Sequence, residues 1–144
     1  MKLGRDCNIL YRLMKVNKTK VRAVKTPEGE PELVKVGYRD IKIEWVVPDF
    51  KTDELTDCFG QYKSREGLIQ MQKDLCGQEK INTLFHEILH AIVYGSGLNQ
   101  ANGPLKEDDA EELAVNQITN YVMGVFRDNP WFLDYMKEGL DKTD

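Results

Sequence analysis

The chain has 144 residues, 41% hydrophobic and 31% charged, which suits one soluble globular domain and leaves too little for two comfortable ones. No run approaches the roughly 18 apolar residues of a membrane span, and a net charge of −4 argues against a dedicated nucleic-acid binder. Cys7, Cys58 and Cys76 are odd in number and form no CxxC pair, so free thiols are expected in place of a disulfide framework or a thiolate zinc site.

The first 25 residues carry eight Lys/Arg against one Asp, a net of +7, and the remainder therefore carries −11. Met1-Lys2 runs into Leu3-Gly4-Arg5-Asp6 without the apolar centre of a signal peptide, so a cytoplasmic protein is expected. Residues 1–30 read as a basic extension and residues 31–144 as the folded domain. Within the extension, 8–16 and 20–24 suit short strands or a helical turn, and 26–31 read as a turn or linker. From Leu33 the alternation of Val34, Val36, Ile41, Ile43, Trp45 and Val47 predicts strands with one buried face, ended by Pro48-Asp49. Residues 59–63 and 67–71 flank Ser64-Arg65-Glu66 and predict a hairpin.

Residues 81–95 read INTLFHEILHAIVYG, and Ile81, Leu84, Phe85, Ile88, Leu89 and Ile92 recur with the spacing of a helix that buries one face. It is expected to start at 76–79, on Cys76 or Gly77, and to stop at Gly95 or Gly97. His86 and His90 lie about 40° apart on it and over about 90° from the centre of the apolar stripe, so the imidazoles are expected to face away from the core. The chain has no other histidine. Two imidazoles one turn apart can bring ring nitrogens to one zinc ion, and Glu87 then sits beside the ion without ligating it. A carboxylate there can take a proton from water and give it to a leaving amine, the chemistry of a metal-assisted hydrolase. A turn-rich loop over 99–108 leads to a second helix over 109–127, with Ala110, Leu113, Ala114, Ile118, Tyr121, Val122 and Val125 as its expected core stripe. Asn129 as cap and Pro130 in the first turn open a short last helix, whose Trp131, Phe132, Tyr135 and Met136 are available for packing.

A catalytic zinc takes three protein ligands, and here the third cannot be histidine. In the extended metzincin pattern it would fall at Ser96, with the glycine at Val93, which excludes that class. Carboxylates on the second helix remain, Glu111 and Glu112. Glu112 shares a face with Asn116 and Thr119 opposite the apolar stripe, which favours it while leaving Glu111 open. Asn116 could then hold a ligand histidine through its second ring nitrogen.

With TLFHEILHAIVYGSGL at 83–98, Glu112-Leu113-Ala114-Val115-Asn116 and Arg127-Asp128-Asn129-Pro130, the chain resembles small phage- and prophage-type metallopeptidases related to the ImmA/IrrE family, which are zincins of the gluzincin type. The resemblance spans roughly residues 34–138 and departs from the family's ExxAN pattern at Val115, where the family has alanine. It implies an α+β fold, with a small twisted sheet, the HExxH helix, a ligand-bearing second helix and a short C-terminal helix. It also implies zinc held by His86, His90 and Glu112, with Glu87 as general base, acting on a protein or peptide substrate. That peptide would pair with an edge strand, for which 67–71 is the candidate, and Tyr62 or Tyr94 would donate to the developing oxyanion. The competing expectation is a metal-stabilised phage regulatory or interaction protein without general proteolytic activity. A nuclease is disfavoured by the acidic main body.

Overall fold

The computed structural model describes residues 29–47 and 59–142. The chain is α+β: a four-stranded sheet followed by three helices. The strands are β1 (Leu33–Val36), β2 (Arg39–Val46), β3 (Gly60–Lys63) and β4 (Leu68–Gln72), and they lie in the order β1-β2-β4-β3. β1 and β2 form an antiparallel pair that turns at Gly37, whose φ of 61° favours glycine. β3 and β4 form the expected hairpin, and β4 lies parallel to β2 with Ile43 opposite Ile69 and Trp45 opposite Met71. The period-2 pattern thus gathers Ile41, Ile43, Ile69 and Met71 on one face, all buried, with Leu75 and Ala91 closing the core. Val47, expected to continue the buried row, is exposed. The strand candidates at 8–16 and 20–24, the stop at 48–49 and nearly all of the basic extension lie outside the described residues. Glu30, placed in that extension, is fastened to the folded part through an ion pair with Lys80.

β4 is an interior strand, which corrects the expectation that 67–71 offers a free edge for a peptide. Its β2-facing side is taken by the parallel pairing that an alternation pattern cannot reveal. Among the described residues, β1 and β3 are the sheet edges, and β3 is the one packed more closely on the helix that follows the sheet.

The helices are α1 (Gly77–Ser96), α2 (Asp108–Asp128) and α3 (Trp131–Asp141). Cys76 is the N-cap of α1 and makes no side-chain capping bond. It is disulfide-bonded, against the free thiol expected. α1 stops at Gly97, which adopts the left-handed conformation and donates its N–H to the Tyr94 carbonyl. Asn129 closes α2, donating its amide to the Val125 carbonyl at 3.0 Å, and Pro130 is the N-cap of α3. The cap expected for the last helix therefore belongs to the end of the one before it. Phe85, Phe126 and Phe132 link the three helices, with ring centroids 6.4 and 6.0 Å apart. No described helix is long and apolar enough to cross a membrane.

Candidate metal centre

α1 lies between the sheet and α2, so it has two inner sides. One carries Leu84, Ile88 and Ala91 onto the core of the sheet. The other turns His86 and His90 toward α2. They face away from the core of the sheet, as expected, yet their side chains are mostly covered, at 16% and 17% exposure. Part of the apolar stripe takes the outer position instead, with Ile81 and Ile92 exposed.

The two Nε2 atoms stand 3.1 Å apart. The Glu112 carboxylate places Oε1 3.2 Å from His86 Nε2 and Oε2 3.1 Å from His90 Nε2. Donors held at about 2.0–2.1 Å around one tetrahedral ion are about 3.3–3.4 Å from each other, so this spacing is close to that of a zinc shell. The protonation pattern agrees. Glu111 Oε1 lies 2.7 Å from His90 Nδ1, and a carboxylate accepts, so the proton sits on Nδ1 and a lone pair remains on Nε2. Burial holds the imidazole of His86 below its ordinary pKa, against the pull of Glu112, and so favours the neutral ring that a metal requires. Ring nitrogens and carboxylate oxygens from three residues converge on one point, an arrangement that a cation between them would satisfy. His86, His90 and Glu112 thus form a group able to hold a metal ion.

Glu111 and Glu112, adjacent in sequence and about 100° apart on the helix, divide the two tasks. Glu112 faces both histidines and is half open to solvent, while Glu111 is covered and orients His90. Asn99 in turn donates to Glu111 Oε2 at 3.1 Å. Asn116, expected behind a histidine, donates to Glu112 Oε1 at 3.3 Å and so steadies the carboxylate itself. The paired glutamates were the visible signal for this division. Asn99, in a loop without periodicity, offered none.

Glu87 is 6% exposed and lies beneath the histidines against β3. Desolvation pushes its pKa up to about 7, opposed by the nearby His90 and by the hydrogen bond from the Tyr62 backbone N–H. Gly60 makes room for it: a Cβ at that position would stand 2.9 Å from Thr83 Cγ2 and 3.2 Å from Glu87 Cγ. Tyr62 and Tyr94 meet edge to face with centroids 6.3 Å apart, and the Tyr62 hydroxyl is 3.4 Å from Arg39 Nη1.

Comparison with protein-family models, curated proteins and solved structures returns no match.

Proposed function

We propose that the protein is a zinc-dependent peptidase in which His86, His90 and Glu112 hold the ion and Glu87 is the general base. The observation that carries this reading is the buried carboxylate of Glu87 beside a converging His-His-Glu group that it does not join. A zinc ion in that position would supply a Lewis acid that polarises a carbonyl and acidifies water. Glu87 takes the proton of the attacking water at its carboxylate and passes it to the nitrogen of the leaving amine. A carboxyl group poised near neutrality can do both. Glu111 keeps His90 in the metal-binding tautomer, Asn116 steadies Glu112, and the outer side of β3 would align an extended peptide. The ImmA/IrrE-related class, and a cytoplasmic setting, belong to the same proposal.

The second reading is a metal-stabilised interaction protein, favoured by the apolar residues that α2 and α3 leave in solvent, among them Tyr121, Trp131 and Leu140. Glu87→Gln separates the two. Zinc content, about one equivalent by elemental analysis, should survive the change because no ligand is touched. Cleavage, read as new peptide termini in a lysate treated with each protein, should fall by about 10²–10⁴ if Glu87 moves protons. Equal termini from both zinc-loaded proteins would favour the interaction protein, and absence of zinc would remove both readings.

A further inference from the structure

Arg39 opens β2 in the row that continues through Ile41 and Ile43, the face the sheet turns to its core. A guanidinium stands there where the alternation calls for an apolar side chain. Its Nη2 donates to the Ser64 carbonyl at 2.9 Å, its Nη1 reaches the Tyr62 hydroxyl, and its central carbon lies 5.2 Å from the centroid of the Tyr94 ring. Among the described residues no carboxylate is within ion-pair distance of it, and the adjacent Asp40 is engaged by Lys35. A guanidinium has five N–H donors in a planar fork, and these contacts use two. What remains suits a planar anion.

The cluster has a definite place along α1. β3 runs beside α1 in the same direction: Gly60 abuts Thr83 and Glu87, while Tyr62 meets Glu87 through its N–H and Tyr94 through its ring. Glu87 and Tyr94 are seven residues apart, about 10 Å along the helix axis. An extended peptide covers that distance in about three residues.

We propose that Arg39 determines specificity by taking the side-chain carboxylate of an Asp or Glu about three residues from the bond cut, in a peptide lying along β3. The proposal rests on the peptidase reading. An antiparallel peptide, the slightly better-paired arrangement, runs from the Arg39 end of β3 toward Gly60, which puts the acidic residue on the N-terminal side of that bond. Tyr62, Tyr94 and Ser64 hold the guanidinium in place and leave three of its N–H donors for the incoming carboxylate.

The test uses full-length, zinc-loaded Glu87→Gln protein and a pool of synthetic ten-residue peptides, each acidic member matched by one with Asn or Gln in the same place. Acidic members should bind about tenfold more tightly, the size of one partly screened charge-assisted contact. That preference should shrink as salt is raised. It should vanish in Arg39→Gln and persist in part in Arg39→Lys, which keeps the charge and loses the fork. Melting temperatures identify a variant that has lost its fold, in which case Arg39→Lys alone decides by its reduced preference. No capture, capture without preference, or a preference that survives both substitutions would overturn the proposal. Cleavage of the same pool by wild-type protein is scored separately. Cleavage indifferent to acidic residues sinks the Arg39 assignment and leaves the peptidase. Arg39-dependent capture without cleavage sinks the peptidase and leaves Arg39 as a carboxylate site.

Discussion

In β2 and β4 the residues withdrawn from water are Ile41, Ile43, Leu68, Ile69 and Met71, whereas α2 buries Val115 and Thr119 and leaves Ile118, Tyr121 and Val125 exposed. The strands are oriented by apolar area, at about 25 cal/mol for each Å² removed from water. The helix is oriented by its polar residues. Ile118 lies about 120° round the helix from Glu112, so a rotation that buried the apolar stripe would carry Glu112 away from the histidines. The site and the greasiest face of α2 compete for one direction, and the site has it. A fold can therefore spend apolar surface to keep ligands convergent, and what is left in solvent records that choice.

The contrast can be broken first at the sheet. Ile69→Ala should destabilise the protein by about 2–5 kcal/mol in urea unfolding, because the Ile69 side chain is fully buried and its removal leaves a cavity. A cost below 1 kcal/mol would mean that the sheet is not the main store of apolar burial. Next comes Glu87, buried but ionisable. Its folded pKa is raised, so in metal-free protein it costs nothing below the ordinary value of 4.5, and the penalty grows with pH to a plateau above about 7. Glu87→Gln should therefore stabilise metal-free protein by on the order of 2–3 kcal/mol above pH 7 and leave it unchanged near pH 4. Melting in chelator at the two pH values reads this, and a gain of equal size at both would point to packing.

Third, Glu111→Gln should weaken zinc binding by about 10–100-fold in a competition titration, since an amide does not fix the His90 tautomer as a carboxylate does. Complete loss would make Glu111 a ligand in place of Glu112. The smallest effect belongs to the face that α2 leaves outside. Tyr121→Ser, at a residue 77% exposed, should change stability by less than about 0.5 kcal/mol. A larger loss would show that this face is covered in solution.

The same competition decides what was legible in the sequence. Alternation identified the buried row of β2 and both strands of the hairpin, because in a sheet the pattern and the burial have one cause. The HExxH spacing pointed to His86 and His90, which do stand together with Glu112, and the second helix was visible to within a residue at either end. Its rotation was not. Periodicity assigned Leu113, Ile118, Tyr121 and Val125 to a core that they do not enter, since the spacing of apolar residues carries no information about polar partners on another helix. The interior place of β4 was hidden for a related reason: a parallel neighbour 26 residues back in register leaves no local mark.

The hydrogen bond from the Tyr62 N–H to Glu87 has one more consequence. An unpaired N–H on an edge strand invites any passing strand to dock, and proteins commonly blunt such edges with charge. Glu87 blunts this one from inside the cleft. A peptide that adds to β3 at Tyr62 must take that donor, and as it does so the carboxylate loses its resting partner and turns to whatever proton is nearest. One bond thus occupies both the outward N–H of Tyr62 and the buried carboxylate of Glu87, and whatever takes the first frees the second.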